Sequence, residues 1–222
     1  MIKYRQIIWD WNGTLWDDTW LCVEINNRML ARRGLPRINT ALYRDRLCFP
    51  VDRYYCQLGF DYARDPYNTL AEEFIEEYGR RRFECPLQEG ARQLIDALFD
   101  RGIPQAVLSA YQQDTLLEAV DHFGLRPFFS QIIGLNDIYA AGKVENGIKY
   151  IASLDVKPSE VLFIGDTVHD FEVARAMGVH GVLVANGHNS RPRLEACGVP
   201  VFDTLLEMQA SVLPNQSSCD DR

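Results

Sequence analysis

The chain has 222 residues, of which 47% are hydrophobic and 24% are charged, and its formal net charge is −8. This composition is typical of a globular protein with a sizeable core, and the acidic charge argues against a nucleic-acid-binding surface. The apolar runs are too short for a bilayer span or a signal peptide, so we expect a cytoplasmic protein with no nucleic-acid or membrane partner. The six cysteines lie far apart without metal-ligand spacing, and we expect reduced thiols.

The most informative stretch runs from Ile7 to Asp18 (IIWDWNGTLWDD). An apolar run that predicts a short buried strand ends at Asp10, and an Asn12-Gly13 pair, a threonine and two acidic residues follow. A carboxylate at the tip of a buried strand lies where open α/β sheets place their ligands. Taken alone, the Asn-Gly pair is also typical of a hairpin turn.

Residues 18–85 predict helices and no strand, and Leu21, Ile25 and Met29 begin the pattern at helical spacing. From Pro86 onwards, short apolar strands alternate with helices, which is typical of βαβ units and a parallel sheet covered on both faces. We therefore predict an α/β fold, with a doubly wound parallel, Rossmann-like sheet core and an inserted all-helical cap domain.

The boundaries follow from this change of pattern. The core domain is predicted over 1–17 and 86–213, the helical cap over 18–85, and a disordered tail over 214–222. Helices are predicted over 18–34, 39–47, 51–58, 65–83, 89–101, 113–123, 144–154 and 168–177. After the first strand, further strands are predicted over 104–109, 131–133, 161–164, 181–185 and 199–202.

A second predicted strand ends in a carboxylate at Asp166, and Asp170 follows four residues later in a predicted helix. Together with Asp10, these residues form an oxygen-rich set of the kind that suits Mg²⁺. An alternative is purely structural: Asp166 or Thr167 caps the helix and Asp170 complements its dipole.

Two single residues occupy similar positions. Ser109 ends a predicted strand, where its hydroxyl and the neighbouring amides can hold a phosphate, and Lys143 opens a predicted helix. The alternatives are a turn residue and a surface charge. Lys143 does not belong to a P-loop, because Asp137 and Val144 stand where that motif requires Gly and Ser or Thr.

The order of these four signals resembles the haloacid dehalogenase (HAD) superfamily, in particular its phosphoglycolate-phosphatase-like members with an inserted helical cap. The resemblance covers about residues 5–210 and rests on Asp10 to Leu15, Ser109, Lys143, and Gly165 to Ala174. It implies a Mg²⁺-dependent phosphatase that hydrolyses a small phosphorylated, phosphoglycolate-like metabolite through an aspartyl-phosphate. It does not decide the oligomeric state, and we expect a monomer or a homodimer.

The resemblance also implies the role of each site residue, with Asp10 as the nucleophile. The implied catalytic residues are Asp10, Asn12 and Lys143. The implied Mg²⁺ ligands are Asp10, the Asn12 carbonyl, Asp166 and Asp170. The implied phosphate-binding residues are Gly13, Thr14, Ser109, Ala110 and Lys143.

Asn12 departs from the pattern, since most phosphatases of this family have an acid/base Asp at that position. A carboxamide cannot shuttle a proton, and losing a general acid/base typically costs about 10²–10⁴ in rate. Three alternatives follow: a substrate such as an acyl or aryl phosphate whose leaving group needs no proton, a proton from His169, or a weakly active phospho-ligand-binding protein. A phosphonate hydrolase would use a cap lysine, and residues 18–85 contain none.

Substrate identity is expected to depend on the cap, whose eleven basic residues are all arginine. The resemblance places Arg46, Arg53, Tyr54 and Tyr55 in the part of the cap that faces the active site. Arginine suits bidentate recognition of a carboxylate, which favours a small phosphorylated acid such as phosphoglycolate. The alternative is that these arginines are solvated or pair with the acidic residues of the cap.

Overall fold

The computed structural model describes residues 4–135 and 142–212. In this part of the chain the strands form one parallel sheet of six. The strands are β1 (Gln6–Trp9), β2 (Gln105–Gln112), β3 (Gln131–Leu135), β4 (Val161–Gly165), β5 (His180–Val184) and β6 (Val201–Phe202). Their order in the sheet is β3-β2-β1-β4-β5-β6, so the first strand of the chain lies at the centre.

Helices surround this sheet and also fill the segment after β1. That segment holds α1 (Thr19–Arg32), α2 (Thr40–Arg46), α3 (Val51–Gln57) and α4 (Tyr67–Arg81). The remaining helices are α5 (Ala91–Asp100), α6 (Gln113–His122), α7 (Lys143–Ser153), α8 (Val168–Met177), α9 (Arg191–Glu195) and α10 (Leu205–Val212). The predicted α/β fold with an inserted helical cap is confirmed. The predicted disordered tail lies outside the described residues.

Both faces of the sheet are covered, and β1 shows why. Ile7 and Trp9 are fully buried in one hydrophobic cluster with Leu94 of α5, whereas Ile8 packs in a second cluster with Tyr150 of α7. Successive side chains of a strand point to opposite faces, so a strand buried on both sides reads as a continuous apolar run. This explains the run that precedes Asp10.

One local prediction was wrong, and one alternative does not hold. Strand β2 does not end at Ser109 but continues to Gln112, because it stays paired with β3 beyond a register shift after Leu108. The Asn12-Gly13 pair does form a tight turn, in which the N–H of Gly13 donates to the carbonyl of Trp16 (2.9 Å). It is not a hairpin, because β1 lies between parallel neighbours on both sides.

The two chain crossings between the sheet and the inserted helices lie side by side. The N–H of Asp17 donates to the carbonyl of Pro86 (2.9 Å), and the indole N–H of the buried Trp16 donates to the carbonyl of Cys85 (2.9 Å). The chain thus leaves the sheet at residue 17 and returns at residue 86, and these two residues are hydrogen-bonded to each other. We propose this point as the boundary between a core (1–17 and 86–213) and a cap (18–85).

Two further properties bear on the sequence analysis. Over the residues that the structure describes, every helix is too short or too polar to cross a membrane. The described cysteines are free thiols, and Cys22 and Cys85 are buried.

Candidate active site

The site lies at the carboxyl ends of β1 and β4, where the strand order reverses direction. Asp10 follows β1 directly, and Asp166 follows β4. The N–H of Asp10 donates to the carbonyl of Ile164 (2.8 Å), which extends the pairing of the two strands as far as Asp10. In open α/β sheets this crevice is the ordinary place for a ligand.

Three buried carboxylates meet in the crevice. Asp10, Asp166 and Asp170 each offer one oxygen, and these oxygens all lie within 4.8 Å of one another. The ammonium of Lys143 lies 2.5 Å from an oxygen of Asp10 and 2.5 Å from an oxygen of Asp170. One ammonium thus faces three carboxylates, and the cluster retains an excess of negative charge.

The pKa values reflect this excess. Burial and the neighbouring Asp170 raise the pKa of Asp10 well above its usual range, and burial raises the pKa of Asp166 to about 6. The pKa of Asp170 stays below its usual value, because Lys143 outweighs the effect of burial. A divalent cation would remove the repulsion, and three carboxylates supply the oxygen ligands that Mg²⁺ prefers. The residues present therefore fit this ion.

The carboxylate of Asp166 is held by the backbone and by a hydroxyl. Thr14 donates its hydroxyl to one oxygen (2.7 Å), and the N–H of His188 donates to the other (2.6 Å). Two glycines allow the backbone to pack against this carboxylate: a Cβ on Gly13 or Gly187 would lie 2.3 or 2.1 Å from it. Gly13 also has a φ of +77°, which favours glycine. Thr14 thus supports a carboxylate, whereas sequence analysis assigned it to phosphate.

Asp170 has two sets of contacts: one agrees with the capping interpretation of this segment, while its role as a metal ligand stays a prediction. One oxygen accepts from the N–H (2.9 Å) and the hydroxyl (2.6 Å) of Thr167, the N-cap residue of α8. The other oxygen accepts from Lys143. The capping box therefore fixes the carboxylate rotamer that the cluster needs.

Asn12 belongs to a separate network around Asp18. Its amide N–H groups lie 2.9 Å from Asp18 Oδ2 and 2.9 Å from the Tyr78 hydroxyl, which itself donates to Asp18 (2.6 Å). The N–H of Gly13 donates to the second oxygen of Asp18 (2.9 Å), so this amide is not available for a phosphate.

His188 joins this network and was missed as a site residue. Its Nε2 lies 3.1 Å from Asp18, and its Nδ1 lies 3.0 Å from the Tyr43 hydroxyl. Burial lowers the pKa of His188, but Asp18 outweighs that effect and raises it to about 9. The contact joins residues 170 apart in the chain, and a lone His gives no local signal of it.

A cleft with a volume of about 500 Å³ opens above the carboxylates. The predicted residues that line it are Asp10, Asn12, Ser109, Ala110, Lys143, Asp170, His169, Tyr54 and Tyr55. Ser109 is buried, and its hydroxyl accepts the N–H of Tyr111 (3.1 Å). The ring of His169 packs 5.2 Å from that of Phe49 and its Nδ1 lies 3.4 Å from Glu172, and its role as a proton donor stays a prediction.

The two predicted cap arginines, Arg46 and Arg53, lie elsewhere. Arg46 is exposed and donates to the carbonyl of Gln57 (3.0 Å), Arg53 is exposed as well, and neither lines the cleft. Tyr54 and Tyr55, which follow Arg53 on α3, turn inward and are buried. The structure therefore does not support carboxylate recognition by Arg46 and Arg53.

Comparison with known proteins agrees with this geometry. Residues 7–184 match the model of the haloacid dehalogenase-like hydrolase family. A phosphoglycolate phosphatase from Caulobacter vibrioides is 27% identical over 96% of this chain and 92% of its own. A chloroplastic 5-amino-6-(5-phospho-D-ribitylamino)uracil phosphatase from Arabidopsis thaliana is 30% identical, but the match spans only 46% of this chain and 28% of that protein.

The fold itself is shared with solved structures. A haloacid dehalogenase-like hydrolase from Streptococcus pneumoniae superimposes with a TM-score of 0.79 at 17% identity, and the match covers 94% of this chain and 98% of that one. The family match includes β1 to β5 and every acidic residue of the buried cluster. The chain therefore belongs to the haloacid dehalogenase-like hydrolase family.

Proposed function

We propose that this protein is a Mg²⁺-dependent phosphatase that hydrolyses a small phosphate monoester through a phosphorylated Asp10. The observation that supports this best is the position of Asp10, buried against Lys143 and two further carboxylates at the floor of the cleft. The phosphatase names of the relatives agree with the proposal. Phosphoryl transfer depends mainly on positioning and charge neutralisation, and this cluster supplies both.

The first half-reaction uses the two oxygens of Asp10 differently. Lys143 holds Oδ1, while Oδ2 has a looser contact of 3.4 Å with the Thr14 hydroxyl. Oδ2 is therefore the nucleophile: it forms a bond to phosphorus while the bond to the leaving oxygen breaks and its electron pair departs with that oxygen. Lys143, the Ser109 hydroxyl and the backbone at Ala110 orient the phosphoryl oxygens.

The second half-reaction restores the enzyme. Water attacks phosphorus, the bond between phosphorus and Asp10 breaks, and the carboxylate and inorganic phosphate are released. Asp10, Asp166, Asp170 and the carbonyl of Asn12 would hold Mg²⁺, which would neutralise negative charge on the transferred group. The network around Asp18 holds Asn12 in place, since its amide contacts both Asp18 and Tyr78.

Asn12 favours a second candidate function. Its side chain has no proton to give to an alkoxide, which suits an acyl or aryl phosphate or a protein that binds phosphorylated ligands with little turnover. The phosphonate alternative lacks support, because the cap segment has no lysine.

Turnover of p-nitrophenyl phosphate with Mg²⁺ tests the proposal on wild type, Asp10→Asn, Asn12→Asp and the control Asp96→Asn, a partly exposed residue of α5. We expect activity in wild type and in the control and none in Asp10→Asn. An acid quench of the wild-type reaction should leave phosphate bound to Asp10. Activity that survives Asp10→Asn would overturn the mechanism. An inactive wild type with an active Asn12→Asp would favour the binding protein.

A further inference from the structure

The walls of the cleft above the carboxylates are aromatic. Six tyrosines and two phenylalanines line it, most of them from the inserted helices, with aliphatic side chains between them. The rings pack against one another. The ring centroids of Tyr43 and Tyr54 lie 5.7 Å apart in an edge-to-face arrangement, and those of Phe74 and Tyr78 lie 5.8 Å apart in a stacked one. A cleft of this volume and lining suits a flat, largely apolar group.

The cations of the cleft are already paired. Among the described lining residues these are Lys143, which contacts Asp10 and Asp170, His188, which contacts Asp18, and Arg82, which contacts Glu118. A substrate carboxylate would therefore enter an aromatic cleft with no unpaired cation to receive it, and burying an unpaired charge is strongly unfavourable. This argues against phosphoglycolate, whose leaving group bears a carboxylate.

Two neutral polar residues that line the cleft, in contrast, each have an unpaired atom. Tyr54 and Asn26 are each 1% exposed, and the Tyr54 hydroxyl and the Asn26 carbonyl oxygen have no hydrogen-bond partner. Both residues line the cleft. Arg82 lines it too and its buried Nε lacks a partner, but Arg82 is a cation whose charge is balanced by Glu118. Buried polar atoms are nearly always paired, so the atoms of Tyr54 and Asn26 point to a ligand with uncharged polar substituents.

We propose that the leaving group is an aromatic alcohol, so that the substrates are aryl phosphates with an uncharged ring. This inference rests on the proposed phosphatase function and names its substrate class. Asn12 agrees with it independently: when the phosphorus–oxygen bond breaks, an aryl oxygen keeps the electron pair as a stable aryloxide and later takes a proton from water. No acid is needed at position 12.

Binding to the inactive Asp10→Asn variant separates recognition from the chemical ease of the reaction. With Mg²⁺ present, calorimetry should give a dissociation constant for 2-naphthyl phosphate roughly tenfold below that for phosphoglycolate, a difference of about 1.4 kcal/mol. The same two compounds are then offered to the wild-type enzyme, and kcat/KM is measured for each.

Two further variants test whether the aromatic ring of the ligand binds in the cleft. Ala71 lies on α4 and lines the cleft, so Ala71→Leu adds volume there with a good helix former. We expect this change in the Asp10→Asn background to weaken 2-naphthyl phosphate roughly tenfold and to leave phosphoglycolate unchanged. The exposed Arg53→Ala is the matched control and should change neither constant.

The outcomes are distinct. Tighter binding of phosphoglycolate, or an Ala71→Leu variant that binds 2-naphthyl phosphate as before, would overturn the aromatic leaving group while wild-type turnover still supports the phosphatase. If 2-naphthyl phosphate binds as expected and wild type hydrolyses neither compound, the phosphatase proposal is overturned and the preference of the cleft for an aromatic ligand stands.

Discussion

The amide nitrogen of Asn12 lies 2.9 Å from the carboxylate of Asp18. Asp18 accepts from Tyr78 and Gly13 as well and contacts His188, so its two oxygens are fully used. These contacts lower the pKa of Asp18 despite its burial, and the pairing with His188 is the largest of them. Asn12 therefore contacts a fixed negative charge, which explains why an amide, a donor, is stable at this position.

The Asn12→Asp variant is expected to gain activity on alkyl phosphates. The new carboxylate would face Asp18, and repulsion would raise its pKa and favour the protonated form that a general acid needs. We expect kcat for an alkyl phosphate to rise by about 10²-fold or more, and kcat for an aryl phosphate to change much less. Steady-state kinetics on both substrates checks this. An equal effect on the two would show that position 12 does not control leaving-group protonation.

Mg²⁺ should stabilise the fold through the carboxylate cluster. Adding the ion in excess to metal-free protein should raise Tm, because binding to the native state alone stabilises it in proportion to the logarithm of ligand concentration. The Asp166→Asn variant should lose this shift, while Asp96→Asn keeps it. Differential scanning calorimetry with and without EDTA gives the answer, and an unchanged shift in Asp166→Asn would place the ion elsewhere.

The His188–Asp18 pair should make stability depend on pH. Unfolded His titrates near pH 6.5 and folded His188 at about 9, so the stabilisation is complete below 6.5 and is lost as the pH rises through 9. In metal-free protein the difference in unfolding free energy between wild type and His188→Gln should shrink by up to about 3 kcal/mol across that window. Denaturant titrations at several pH values measure this difference. If it decreases by the same amount in an Asp18→Asn background, the pH dependence arises from groups other than this pair.

Tyr78 connects the inserted helices to the loop after β1. Its hydroxyl donates to Asp18 and accepts from Asn12, so Tyr78→Phe leaves two buried polar groups short of a partner. We expect a loss of about 1–3 kcal/mol in unfolding free energy together with lower kcat. Tyr62→Phe is the control: its hydroxyl donates to the carbonyl of Asp52 away from the cleft, so stability should fall without a change in kcat. Equal kcat in the two variants would contradict this role.

Sequence reasoning predicted most of the fold because the central strands β1 and β4 are fully buried. A strand covered on both faces must be apolar along its length, and the first polar residue after it, such as Asp10 or Asp166, marks the carboxyl edge of the sheet. Helix α8 has the predicted limits, since Thr167 caps its start and Gly178 follows its end with a φ of +71°. The length of β2 was missed, because pairing with β3 continues past the polar Ser109.

The cleft was harder to predict because it depends on contacts between distant segments. His188 reaches Asp18 only after the chain has crossed the sheet, and no local pattern indicates that contact. The resemblance predicted Arg46 and Arg53 beside the active site, but neighbouring residues on a helix point in different directions, and on α3 it is Tyr54 that turns inward. Which residues of a cap face the substrate is decided by packing.

The central place of β1 in the sheet has a consequence for synthesis on the ribosome. Asp10 is made long before two residues of its cluster, since Lys143 lies 133 residues further along the chain and Thr14 meets Asp166 152 residues away. A nascent chain thus contains Asp10 well before Lys143 and Asp166. The complete carboxylate cluster should therefore form only after β4 has emerged and docks beside β1.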